Sequence, residues 1–168
     1  MKLFLKIFFV SVMIFMIYLS SCMKIKSYPP EPEVEFKEFK LIDTIDGLGN
    51  RKYAGFLTFT FVDGDGDLGF GQDSASSKAV FINKYEIINN VAHLVDLAVD
   101  YSYSIPAFST TGNRKALKGE IVVKSLEEPY PLNSDDTIMY KFYIVDRSRN
   151  YSNTDSTGYI ALIDFIER

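Results

Sequence analysis

Apolar residues recur at every second position through most of this chain. Val34 and Phe36 alternate with charges, and Phe39 and Leu41 continue the pattern after a one-residue change of phase, which predicts a bulged strand. In Phe56-Leu57-Thr58-Phe59-Thr60-Phe61-Val62 the spacing puts Leu57, Phe59 and Phe61 on one face. Ala79 to Ile87 and Val91 to Leu97 flank Asn89-Asn90, a hairpin signal because asparagine tolerates positive φ. Tyr101, Tyr103 and Ile105 alternate with serines up to Pro106. Gly119 to Lys124, Thr137 to Val145 and Tyr159 to Phe165 bring the expectation to about eight strands. β-Branched and aromatic residues fill these runs, turn residues separate them, and no window carries a three-turn amphipathic helix. The expected fold is all-β: an antiparallel sandwich of seven to nine strands, with Phe59, Phe61, Tyr140, Phe142 and Ile144 in its core.

The first 21 residues break this pattern. Met1 to Lys6 are basic, and Ile7 to Leu19 are uncharged and too short to span a bilayer comfortably, as a secretory leader would be. Three prolines, Pro29, Pro30 and Pro32, then favour an extended stalk. The expected organisation is a leader at 1–21, a stalk at 22–33 and one domain at 34–168. Removing Lys2 and Lys6 with the leader takes the formal charge from −4 to −6, which argues against a nucleic-acid partner, since phosphate binding needs clustered cations. The sole cysteine rules out an internal disulfide. The sole histidine, His93, rules out most zinc sites and Ser-His-Asp triads.

Leu19-Ser20-Ser21-Cys22 resembles the lipobox of bacterial lipoproteins, which implies cleavage before Cys22 and its lipidation. More than one acyl chain makes a durable anchor. The implied location is the cell envelope, anchored in the outer membrane. The stalk lacks the acidic cluster that resembles a surface-export signal, so either membrane face stays open.

Two further resemblances concern the domain. Asp136-Thr137-Ile138-Met139-Tyr140-Lys141-Phe142 resembles the start of strand F in immunoglobulin-like domains, with Tyr140 as a tyrosine corner whose hydroxyl returns to nearby backbone. Asp63-Gly64-Asp65-Gly66-Asp67-Leu68-Gly69 and Asp146-Arg147-Ser148-Arg149-Asn150-Tyr151-Ser152-Asn153 resemble segments of small lipoproteins of Bacteroides-type bacteria. That resemblance implies an immunoglobulin-like sandwich and supplies no activity.

The candidate chemistry centres on Asp63, Asp65 and Asp67. Three carboxylates at alternate positions between glycines can turn onto one hard cation. The segment is not an EF-hand, because Leu68 stands where a glycine is needed and Ser74 where a glutamate is needed. If Phe56 to Val62 is strand B and Thr137 to Val145 is strand F, both run to one pole, and Asp146 and Asn150 join the three aspartates there. An all-oxygen set suits structural Ca2+. Arg147 and Arg149 offer the competing arrangement, salt bridges to the same carboxylates, and a plain tight turn is the simplest reading. The favoured function is a non-enzymatic, lipid-anchored binding or assembly module whose partner is an envelope protein or a glycan. One alternative is a glycan-binding lipoprotein that stacks sugars on exposed Tyr101 and Tyr103, with Tyr130, Tyr151 and Tyr159 in or beside loops. The other is a small hydrolase built on two carboxylates. No nucleophile elbow or phosphate loop is present.

Overall fold

The computed structural model describes residues 27–70, 77–108, 116–129 and 136–165, together with Phe4, Lys6, Phe8 and Ser11. The leader's remaining positions, Cys22 and Tyr130 lie outside these. Among the described residues, no helix is long and apolar enough to cross a membrane.

The described residues form nine strands in chain order: β1 (Glu33–Ile45), β2 (Arg51–Asp63), β3 (Val80–Ile88), β4 (Val91–Leu94), β5 (Tyr101–Tyr103), β6 (Leu117–Pro129), β7 (Thr137–Ile144), β8 (Asp155–Ser156) and β9 (Ile160–Ala161). One sheet runs β1-β2-β6. The other runs β4-β3-β7-β8, with β5 also on β3 and β9 also on β7. All strand pairs are antiparallel. This is an all-β sandwich of two antiparallel sheets packed face to face.

Alternation along β2 decides which face is inside. Leu57, Phe59 and Phe61 are buried, and they meet buried Tyr140, Phe142 and Ile144 of β7. The rings of Phe59 and Phe142 stack with centroids 4.6 Å apart. Burying a side chain of this size contributes roughly 1.5–3 kcal/mol. All five expected core residues are in place.

Local signals also hold. The β1–β2 register shifts between Phe36 and Glu38, where the apolar phase changes. Asn89 and Asn90 take φ of 52° and 62° and close the β3–β4 hairpin, as a two-residue turn with positive φ at both positions requires. Two expectations need correction. The strand expected over Tyr159 to Phe165 is only Ile160–Ala161, followed by a 3-10 turn at Leu162–Phe165. The strand from Val91 stops at Leu94. The Tyr28–Pro29 backbone lies so close to Gly64 that a Cβ there would sit 1.9 Å from the Pro29 carbonyl oxygen.

The tyrosine corner is also corrected. Tyr140 is buried, but its hydroxyl donates to Glu128 Oε1 on β6 rather than to backbone. Lys84 Nζ on β3 donates to Glu128 Oε2 at 2.5 Å, so three buried polar side chains join the two sheets. Burial, reinforced by the Glu128 carboxylate, pushes the Tyr140 phenol well above its ordinary pKa. Removing one member of a buried pair strands the other charge. Glu128→Leu should therefore destabilise the domain by about 3–5 kcal/mol, while Glu128→Leu combined with Lys84→Met should recover most of that loss in urea unfolding.

Candidate metal centre

The strand pleat delivers the first two carboxylates. Asp63 lies two residues after Phe61 and Asp146 two after Ile144, so each continues an inward-facing row, and both are fully buried. Asp65 is exposed and Asp67 half-buried. Oxygen atoms of Asp63, Asp65, Asp67 and Asp146 all lie within 4.8 Å of one another. The expected convergence of the loops after β2 and β7 at one pole is thus observed.

The loop's backbone follows from its glycines. Gly64 allows the close approach of the stalk, and Gly66 takes φ of 72°. Between them the chain curls around Asp63, whose Oδ2 accepts the Leu68 N–H at 2.7 Å and whose Oδ1 accepts the Gly66 N–H at 3.3 Å. Asp67 Oδ2 accepts both the N–H (3.1 Å) and the Oγ–H (2.6 Å) of Ser148, tying this loop to the one after β7. Asp67 Oδ1 is shut off from solvent and receives no hydrogen bond. Among the described residues, no lysine or arginine pairs with any of the four carboxylates. Arg147 and Arg149 are exposed and do not provide the counter-charge.

Asn150 has a different part from the one its position suggested. Its N–H and Nδ2 donate to Asp146 Oδ1 and Oδ2, each at 2.8 Å, so it holds the carboxylate in place. The same arrangement recurs at the far end of the molecule, where the N–H and Nδ2 of Asn50 donate to Asp46 at 2.8 and 3.1 Å. In both turns the residue before the asparagine has positive φ: Gly49 at 88° and Arg149 at 67°. Asp-x-x-x-Asn is a turn motif in this chain, legible in Asp46-Gly-Leu-Gly-Asn50 and Asp146-Arg-Ser-Arg-Asn150 though not anticipated. Only the second turn brings its carboxylate into an acidic cluster.

Burial pushes Asp63 up to about 6, and its neighbour Asp65 adds to the rise, while the N–H groups of Leu68 and Gly66 oppose it. The cluster is therefore electrostatically strained near neutral pH, a condition that a cation relieves.

The other candidates are less well placed. Tyr101 and Tyr103 are half-buried and pack against the core, and the Tyr101 hydroxyl donates to the Glu127 carbonyl at 3.5 Å. They do not form the exposed platform expected of them. Among the described residues, Tyr151 and Tyr159 are the exposed tyrosines. Tyr151 leans on Tyr143 at 6.0 Å, and Tyr143 stacks on Phe81 at 5.1 Å. His93 is exposed on the edge strand β4. Comparison with protein-family models, with curated proteins and with solved structures finds no match.

The folded value of about 6 lies above the ordinary 3.8, so Asp63 costs nothing below pH 4 and its full penalty above pH 6. In chelator, Asp63→Asn should therefore gain on wild type as pH rises from about 4 to about 7, read as the difference between their urea midpoints.

Proposed function

We propose that this chain is a non-enzymatic, lipid-anchored β-sandwich module of the cell envelope, used for binding or assembly, whose acidic pole holds a structural calcium ion. The observation that carries the calcium reading is the meeting of four carboxylates, two of them fully buried, with no cationic side chain paired to them among the described residues. Each carboxylate keeps lone pairs beyond the hydrogen bonds it accepts. Asp67 Oδ1 has an entirely unused acceptor in a solvent-free position. Backbone carbonyls and water complete the six to eight oxygens that calcium takes. Burial of Asp63 and Asp146 favours an ion over a substrate, because two carboxylates shut away from solvent cannot straddle a glycosidic bond. The ion joins the loops after β2 and β7 and cancels their repulsion.

Asp65 is the residue on which to test this. It is exposed and holds none of the turn's backbone hydrogen bonds, so its loss removes a ligand without dismantling the loop. A hundredfold excess of calcium over its dissociation constant stabilises the folded state by about 2.7 kcal/mol, or roughly 10 °C in Tm. Wild type should show that rise over chelator, and Asp65→Ala should lose most of it. If calcium moves neither protein, or both equally, the loop is a plain turn.

The anchor rests on Leu19-Ser20-Ser21-Cys22. Cys22→Ala should abolish acylation and release the chain from membranes, read by intact mass and by fractionation.

A further inference from the structure

The two edges of the β1-β2-β6 sheet are finished differently. At the β1 edge, Asn153 acts as a substitute strand. Its Oδ1 accepts the Val34 N–H and its Nδ2 donates to the Val34 carbonyl, both at 2.9 Å, and Asp155 accepts the Phe36 N–H at 2.6 Å. The outer edge of β6 has no such cover: among the described residues β6 pairs with β2 alone, and the fourth strand that extends this sheet in constant-type immunoglobulin domains is missing. A long open edge is a template for another strand.

Only part of β6 is open. At its start, Lys118 lies 3.8 Å over the Tyr28 ring and donates to the Tyr28 hydroxyl. Near its end, Tyr101 reaches the Glu127 carbonyl. The window between them is Gly119 to Lys124. Its outward side chains are Glu120, Val122 and Lys124, and Val122 is 48% exposed, while Val123 points into the core.

We propose that this window pairs with the same window of a second copy, antiparallel and two-fold symmetric about Val122. That register sets Val122 against Val122 and sets Glu120 of each copy against Lys124 of the other. Opposite charges directly across an antiparallel pair are favourable, and the exposed valines cover one another at the centre. A register centred on Glu120 would instead oppose Glu120 to itself. The interface is isologous, as a two-fold requires, and joins two three-stranded sheets into one of six. Glu120 also pairs with Lys37 of its own chain at 2.5 Å; both side chains are half-exposed, so that pair adds little to stability and leaves Glu120 able to face a second lysine.

The two-fold centre can be tested in the full chain by oxidation. Antiparallel partners have Cα atoms roughly 4.5–5.5 Å apart, within disulfide range. Val122→Cys should give a covalent dimer well above the wild-type background, which reports Cys22 alone. Adding Glu120→Lys or Lys124→Glu should cut the yield at least fivefold by placing like charges across the pair. Mixing the two reversed proteins, one carrying a size tag, should restore it as a heterodimer. Both positions flanking the centre are then basic in one protein and acidic in the other, so each cross-strand pair again joins opposite charges. A Val122→Cys yield no higher than wild type overturns the proposal. So does a yield insensitive to both charge reversals, or a mixture that stays monomeric. The calcium reading plays no part in this outcome.

Discussion

The strand period of two, locked where Phe59 stacks on Phe142, controls the acidic pole as well as the core. That stack sets the inward phase of β2 and β7 at the same time. Phe59, Phe61 and Asp63 form one row, and Phe142, Ile144 and Asp146 the other. Each row begins in hydrocarbon and ends in a carboxylate, so closing the sandwich forces two acids into a place where water does not reach. A slip of one residue in either strand would expose its aspartate and at the same time expose its phenylalanines. The apolar core therefore holds the carboxylates inward against their own desolvation cost, which is expressed in the raised pKa of Asp63.

Alternation made most of this legible in advance. Leu57, Phe59 and Phe61 announce their shared face, the phase change after Phe36 announces the bulge, and Asn89-Asn90 announces a positive-φ turn. The meeting of Asp63, Asp65, Asp67 and Asp146 followed from strand direction alone, because β2 and β7 run to the same pole. Short elements were less legible. Asp155–Ser156 carries no apolar alternation and is a strand because it pairs with Lys141 and Phe142 of β7. Tyr159 to Phe165 reads as alternating, yet the chain tightens into a 3-10 turn once Leu162 is buried. The Glu128 acceptor for Tyr140 was hidden because it lies on another sheet, and nothing in the local sequence of β7 points to it.

The Asp-Arg-Ser-Arg-Asn-Tyr-Ser-Asn segment shows how many structural duties one stretch can hold. Asp146 and Asn150 close the turn, Ser148 fastens Asp67, Ser152 accepts the Ile144 N–H, and Asn153 covers the edge of β1. Most of its polar side chains thus have partners inside the domain, and its motif-like appearance needs no ligand to account for it. The Asp63 loop differs, because its hydrogen bonds leave Asp67 Oδ1 with nothing.

The two Asp-x-x-x-Asn turns make that difference concrete. At the far end, Asp46 is only partly buried, and the hydrogen bonds from Asn50 hold it below the ordinary carboxylate pKa. Its charge still reaches water, and the turn is complete as it stands. Asp146 takes the same two hydrogen bonds from Asn150 but is fully buried and faces three more carboxylates. Identical turn chemistry therefore satisfies one site and leaves the other with excess negative charge. The turn accounts for the position of Asp146 and does nothing to neutralise its surroundings. Arg147 and Arg149 are exposed and make no ion pair with it among the described residues. A proton on Asp63 can meet part of the charge below about pH 6. Above that value the proposed cation would meet the rest, and a set made only of oxygen atoms is the kind that calcium prefers.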